Sequence, residues 1–177
     1  MSLAEATILP VEGRERVMGA DDLIVSKTNL KGHITYANDV FLKIADLTLA
    51  ETIGKPHSLI RSRAMPRSVF QLLWENIQAG TEVFAYIVNK SKFGDHYWVF
   101  AHVTPSFDAK GDIVGYHSNR RKPRPEAIEE ISHLYRRLLA AEASVKNAKQ
   151  GMQAGYIELQ HTLQTLGMDY DRYVLSL

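Results

Sequence analysis

The spacing of hydrophobic residues changes character several times along the chain. Residues 21–28 (DDLIVSKT) begin apolar and end polar, Asn29-Leu30-Lys31-Gly32 is a turn signal, and His33–Ala37 (HITYA) reads as a second strand, so a β-hairpin is predicted. Helical signals follow in short pieces. Asn38-Asp39 can cap a turn carrying Phe41, Leu42 and Ile44. Thr48-Leu49-Ala50-Glu51 has capping-box spacing, and Gly54-Lys55-Pro56 stops that second piece. Residues 57–65 show no period. Pro66 then opens a stronger helix, with Val69, Phe70, Leu73, Trp74 and Ile77 at helical spacing and a stop at Gly80. Strand patterns return at 83–88, 97–104 (YWVFAHVT) and 113–118, separated by turns at Gly94-Asp95 and Gly111-Asp112. Two strands, several short helices and three strands predict an α+β domain built on a five-stranded antiparallel sheet, with the helices on one face.

After the basic, proline-marked stretch 120–125 (RRKPRP) the period becomes seven. Ile131, Leu138, Val145, Met152, Leu159 and Leu166 form one row, and Leu134, Ala141, Ala148 and Gly155 fill the other seam position. This pattern predicts a long C-terminal helix suited to helix–helix association. The mostly small second row would let a partner backbone approach closely, while Gly151 and Gly155 weaken the middle or mark a bend. Packing onto the domain's own sheet is the simpler alternative. The organisation expected is an N-terminal cap over 1–20, a globular domain over 21–119, a joint over 120–125 and a signalling helix over 126–177.

Composition narrows the chemistry. The 177 residues are 45% hydrophobic, enough for one full core plus an appendage. Lys+Arg of 21 against Asp+Glu of 20 gives no global signal for nucleic acid, and the run Arg120–Arg124 reads as a charged joint at a helix start. With no cysteine, disulfides, thiol catalysis, Cys-based zinc sites, iron–sulfur clusters and a light-driven thiol adduct to a flavin are all excluded. No stretch is long and apolar enough to span a membrane, and residues 1–20 lack the plan of a secretory signal, so the expected location is cytoplasmic. Nucleophile motifs and Gly-rich phosphate loops are missing too, so no enzyme activity is expected. The acidic pairs Asp21-Asp22 and Asp169/Asp171 read as solvated turns.

Several longer stretches carry a resemblance. Lys27-Thr28 with Tyr36-Ala37-Asn38-Asp39, Gly54-Lys55-Pro56-His57, Met65-Pro66 and Lys92-Phe93-Gly94-Asp95-His96-Tyr97-Trp98 together resemble the PAS domain of bacterial aerotaxis receptors, over about residues 21–125. The resemblance implies FAD in a cleft between the sheet and the helices, and a role in redox, energy or oxygen taxis. It also implies contacts from Asn38, His57, Arg61, Trp74 and Asn89. At Ser62, Ala64 and Val83 the chain departs from the family pattern, where the family has His, Asp and Trp, and Phe84 replaces a small residue. These changes narrow the cleft and remove polar partners.

Each candidate also has a plainer use. Arg61 and Arg63 match a pyrophosphate in geometry, or sit in a solvated loop. Asn38 and Asn89 can meet a heterocycle edge, or cap a helix and fill a strand end. His57 can donate to a ligand or hold its loop. Trp74 and Trp98 can wall a flat ring or pack the core. His96, His102 and His117 lack metal-ligand spacing. The function expected is a sensory and signal-transduction protein. It acts as a separate subunit, as a homodimer through its helix or docked on a chemoreceptor. The alternative is an interaction module of the same fold with nothing in its cleft.

Overall fold

The computed structural model describes residues 9–177, so the first eight residues of the expected N-terminal cap lie outside the described part. Strands β1 (Ile24–Thr28) and β2 (Ile34–Ala37) form the hairpin. Helices α1 (Asp39–Ala45) and α2 (Leu49–Thr52), a single 3₁₀ turn at His57–Ile60 and helix α3 (Arg67–Gln78) cross over to β3 (Val83–Lys90), β4 (His96–Phe107) and β5 (Ile113–Arg121). All pairings are antiparallel, in the order β2-β1-β5-β4-β3. The two ends of the domain's sequence therefore meet at the sheet's centre, where β1 pairs β5.

Local chemistry explains the helix starts. Asn38 caps α1 by accepting from the Phe41 N–H. Thr48 and Glu51 complete the capping box of α2. Asn29 Oδ1 accepts from the Lys31 and His33 N–H groups and so closes the hairpin turn. Gly32 there has φ of +77°, and a Cβ would lie 3.1 Å from the Trp74 ring, so both backbone and neighbour require glycine. Phe41, Ile24, Ile34, Val69 and Ile77 are almost wholly enclosed between helices and sheet. Each such side chain contributes about 1.5–3 kcal/mol of burial.

The inner face of the sheet follows from strand register. Asn89, Ile87 and Ala85 on β3 pair with Tyr97, Val99 and Ala101 on β4, and Val103, Ala101 and Pro105 pair with Ser118, Arg120 and Tyr116 on β5. Side chains alternate across a strand, so Trp98, Phe100 and His102 point to the opposite face. Residues 9–18 add to the β4 end of the sheet. Arg16 N–H donates to the His96 carbonyl, and Arg16 is ion-paired to Asp46 at 2.5 Å and Asp95 at 2.9 Å.

A long helix follows the sheet, but it does not run on through the heptads. Helix α4 (Pro125–Ala143) ends, four residues turn, and α5 (Ala148–Leu166) returns beside it. Gly167 closes α5, and α6 (Tyr170–Ser176) follows. The break is local chemistry. Asn147 N-caps α5 by accepting from the Lys149 and Gln150 N–H groups, which starts a new helix where the heptads would have continued the old one. Seam residues Ile131, Leu134 and Leu138 on α4 and Gly155 and Leu159 on α5 are buried within the hairpin. Ala148 and Leu166 are exposed, and Val145 sits in the turn.

This hairpin straddles the β3 edge. On the outer face Tyr135 stacks on Trp98 at 6.3 Å, and α5 packs along α3 on the inner side. The β3 edge itself is closed by side chains. Tyr135 O–H donates to the Tyr86 carbonyl at 2.5 Å, and the Phe84 N–H donates to Asp171 Oδ1 at 3.0 Å. Asp171, read from sequence as a solvated turn residue, thus caps a strand, and Asp169 caps α6.

Candidate functional site

Between the inner face and α3 lies a cavity of about 630 Å³, within the range of small-molecule sites. Its body is apolar, from Phe70, Leu73, Trp74, Ile77, Ile87 and Val103, with Met152 of α5 on its wall. Its polar groups include Ser26, His57, Asn89, Ser118 and Arg120 from the sheet side and Arg61 and Arg67 from the approach to α3, with Lys31, Gln71, Glu75, Gln78 and His117 also on the lining. A second recess of about 490 Å³ adjoins it, sharing Ser58, Arg61 and Arg67 and adding Arg63 and Glu142.

Each residue singled out from sequence can now be placed. Trp74 lines the cavity and meets Tyr116 edge to face at 5.5 Å. Asn89 lines it too, and its Nδ2 is buried with no partner among the described residues. Arg61 lies with its guanidinium 4.4 Å from the Phe70 ring centroid, and its backbone bridges to Asn89. His57 turns Nε2 inward, 3.2 Å from Ser26 Oγ and 2.7 Å from Arg120 Nη2. Desolvation first, and then the Arg120 charge, hold its imidazole down to about 3, so the ring is neutral at physiological pH. Asn38 lies elsewhere. Its Oδ1 accepts from the Val25 and Phe41 N–H groups and its Nδ2 donates to the Leu23 carbonyl, which makes it a clamp between β1 and α1. Trp98 is on the far face. Arg63 is exposed and borders the second recess. His96 contacts the Glu12 carbonyl and His102 contacts Glu82, and no acidic or histidine cluster fit for a metal exists among the described residues.

The residue that sequence reading misplaced is Arg120. It was assigned to a surface joint, whereas β5 runs on to Arg121 and Arg120 is only 3% exposed. Its Nη2 donates to Ser26 Oγ at 2.9 Å, and its Nη1 has no partner among the described residues. Burial lowers its pKa to about 10, which leaves it a cation at neutral pH. The signal available was the alternation Tyr116-x-Ser118-x-Arg120, which continues the inward row of β5 past the point where charge suggested an end.

The aerotaxis receptor of Escherichia coli (strain K12) is 36% identical over 124 residues, which are 70% of this chain and 24% of the receptor. A nitrogen fixation regulatory protein of Klebsiella pneumoniae is 26% identical over 97 residues, 55% of this chain and 20% of that protein. The globular part is a PAS domain of the aerotaxis-receptor type. Its fold also matches a solved light-oxygen-voltage domain studied with a flavin analogue, at 17% identity and a TM-score of 0.55, covering 62% of this chain and 82% of that one. No family model matches the chain. The chain spans about a quarter or less of the length of these two curated relatives. No helix among the described residues is long and apolar enough to cross a membrane.

The same residues test whether the PAS cleft suits a flavin. The isoalloxazine ring is flat, apolar at one end, and edged at the other with acceptors beside one N–H donor. The apolar walls match the first part. Arg120 Nη1 and Ser118 Oγ, neighbours on β5 that are buried with unpaired polar atoms, suit the second, and the unpaired Asn89 amide lies further along the same face. Val83 and Ala64 are buried but line neither recess, so these two departures from the family pattern leave the cavity open.

Proposed function

We propose that the chain is a cytoplasmic redox sensor that holds FAD in the PAS cleft and passes the cofactor's state to its C-terminal helices. The observation that carries this reading is a mostly apolar cavity lined by three buried polar side chains, Asn89, Ser118 and Arg120, each with an atom unpaired among the described residues. A native interior leaves few such groups without partners, and a heterocycle edge supplies them. The dinucleotide is favoured over the mononucleotide because the adjoining recess is bordered by Arg61 and Arg63, whose guanidinium forks suit a pyrophosphate, while Arg67 there is paired to Glu142.

When bound, the flavin supplies reversible acceptance of electrons. The protein's own groups do the rest. Leu73, Trp74 and Ile77 would exclude water from the ring, Ser118 and Arg120 would meet its polar edge, and Met152 on α5 brings an output element to the same wall. The role is sensing rather than catalysis, and the partner is a second copy or a chemoreceptor. The test is a visible spectrum of the purified protein, followed by titration with FAD and with FMN. Near-equimolar FAD bound at least tenfold tighter than FMN supports the reading. A protein that retains neither flavin after reconstitution refutes it.

A further inference from the structure

Arg120 is an unusual occupant of a protein interior. A buried cation is ordinarily matched by a carboxylate, because desolvation is otherwise uncompensated. Here no acidic side chain pairs with Arg120 among the described residues. Its contacts are Ser26 Oγ, His57 Nε2 and the Phe41 face, with the ring centroid 5.8 Å away. Both polar contacts are uncharged. A donating guanidinium makes His57 Nε2 an acceptor, and an imidazole accepts only when neutral. Arg120 therefore brings to the cleft a buried positive charge with no carboxylate paired to it among the described residues, and with Nη1 spare.

We infer that Arg120 is the group that reads the ligand's charge, binding the reduced, more negative form of the heterocycle more tightly than the oxidised form. This rests on the flavin reading. The oxidised ring presents neutral acceptors, which Arg120 binds as an ordinary donor. The reduced ring carries negative charge on that same acceptor edge, and in a water-poor cleft the attraction to a guanidinium is far stronger than in water. Arg120 also bonds to Ser26 on β1 and to His57 at the start of the 3₁₀ turn, so a change in its pull is felt by two further elements.

The experiment uses the full chain loaded with FAD, and reads the oxidised and reduced affinities through the midpoint potential. Arg120→Gln keeps a neutral donor and removes the charge. Its expected effect is a roughly tenfold loss in the reduced-over-oxidised affinity ratio, which for a two-electron couple lowers the potential by about 30 mV. Ser118→Asp offers a second route that keeps the arginine. It places a carboxylate on the same face of β5, two residues away, and should lower the potential in the same direction. An unchanged potential in a folded, flavin-loaded Arg120→Gln protein overturns the assignment alone. If that variant does not fold, an unchanged potential in Ser118→Asp overturns it. A wild-type protein that takes up no flavin refutes the flavin reading and this assignment with it.

Discussion

Glu142 is the residue whose replacement should separate the sensor from its output. It is 5% exposed near the end of α4, and its Oε1 accepts from the Ser68 N–H at 2.8 Å and Ser68 Oγ at 2.9 Å, while Oε2 accepts from Arg67 Nε at 3.1 Å. Helix α3 starts at Pro66, which offers no side-chain cap, so Glu142 supplies from a distant helix the acceptor that an N-cap residue would give. Glu142→Ala removes that cap, worth about 0.5–2 kcal/mol. It also removes charge-assisted bonds worth about 1.5–3 kcal/mol each, which overlap with the cap and do not add. A net loss of about 3 kcal/mol follows, which for a chain of this size lowers Tm by roughly 6–12 °C. Glu142→Gln keeps an acceptor and should lose about half as much. The assay is thermal unfolding, paired with hydrogen exchange over α3 and α5. Exchange should rise at the start of α3 and through α5 before it rises in β4 and β5. A melting shift below about 1 °C, or exchange that rises evenly over the whole chain, would refute the argument.

Three further outcomes are expected. Gly151→Ala should destabilise by about 1–3 kcal/mol, despite a helix-propensity gain near 1 kcal/mol, because its Cβ would lie 2.3 Å from the Glu142 backbone oxygen; a more stable variant in a denaturant titration would contradict this. Stability should fall as pH drops from 6.5 toward 3, because His57 is held down to about 3 in the fold, so the unfolded chain takes up the proton first. The loss between pH 7 and 5 is about 2 kcal/mol, and urea titrations of His57→Gln should show that much less pH dependence. Tyr135→Phe leaves the Tyr86 carbonyl without its donor and should lower stability by about 1 kcal/mol, read as a Tm lower by roughly 2–4 °C.

The sheet and its crossover helices were legible because each boundary carries its own local signal. The Asn29–Gly32 turn, the Asn38 cap and the Thr48–Glu51 box all act within a few residues, and no distant contact overrides them. The C-terminal half was harder. Its seven-residue repeat is real, yet the same residues serve a hairpin as well as a continuous helix. The small row did permit close approach at Gly155, but what meets it is the chain's own Glu142 and Ser68 side chains, and the Glu142 carbonyl lies against Gly151 one turn earlier. Asn147 was the available clue to the turn. In the cleft, residue type placed Trp74 and Asn89 among the candidates, whereas Asn38 is fully engaged in holding β1 to α1. Arg120 was hidden by its company: beside Arg121, Lys122 and Arg124 it reads as part of a solvated run. Only the continued strand register turns it inward.

The closure of the β3 edge has a consequence for the fate of the protein when its tail lifts. An edge strand usually ends its sheet by being short, twisted or charged. This one is eight residues long, most of them buried, and two of its backbone groups are stoppered by Tyr135 and Asp171, from helices that come last in the chain. During synthesis the sheet is complete before its seal exists, and any event that peels away α4 and α6 uncovers a ready template for another strand. The tail thus doubles as a safety catch against strand-to-strand clumping, and proteolytic trimming after the sheet should leave a piece that sticks to its own kind.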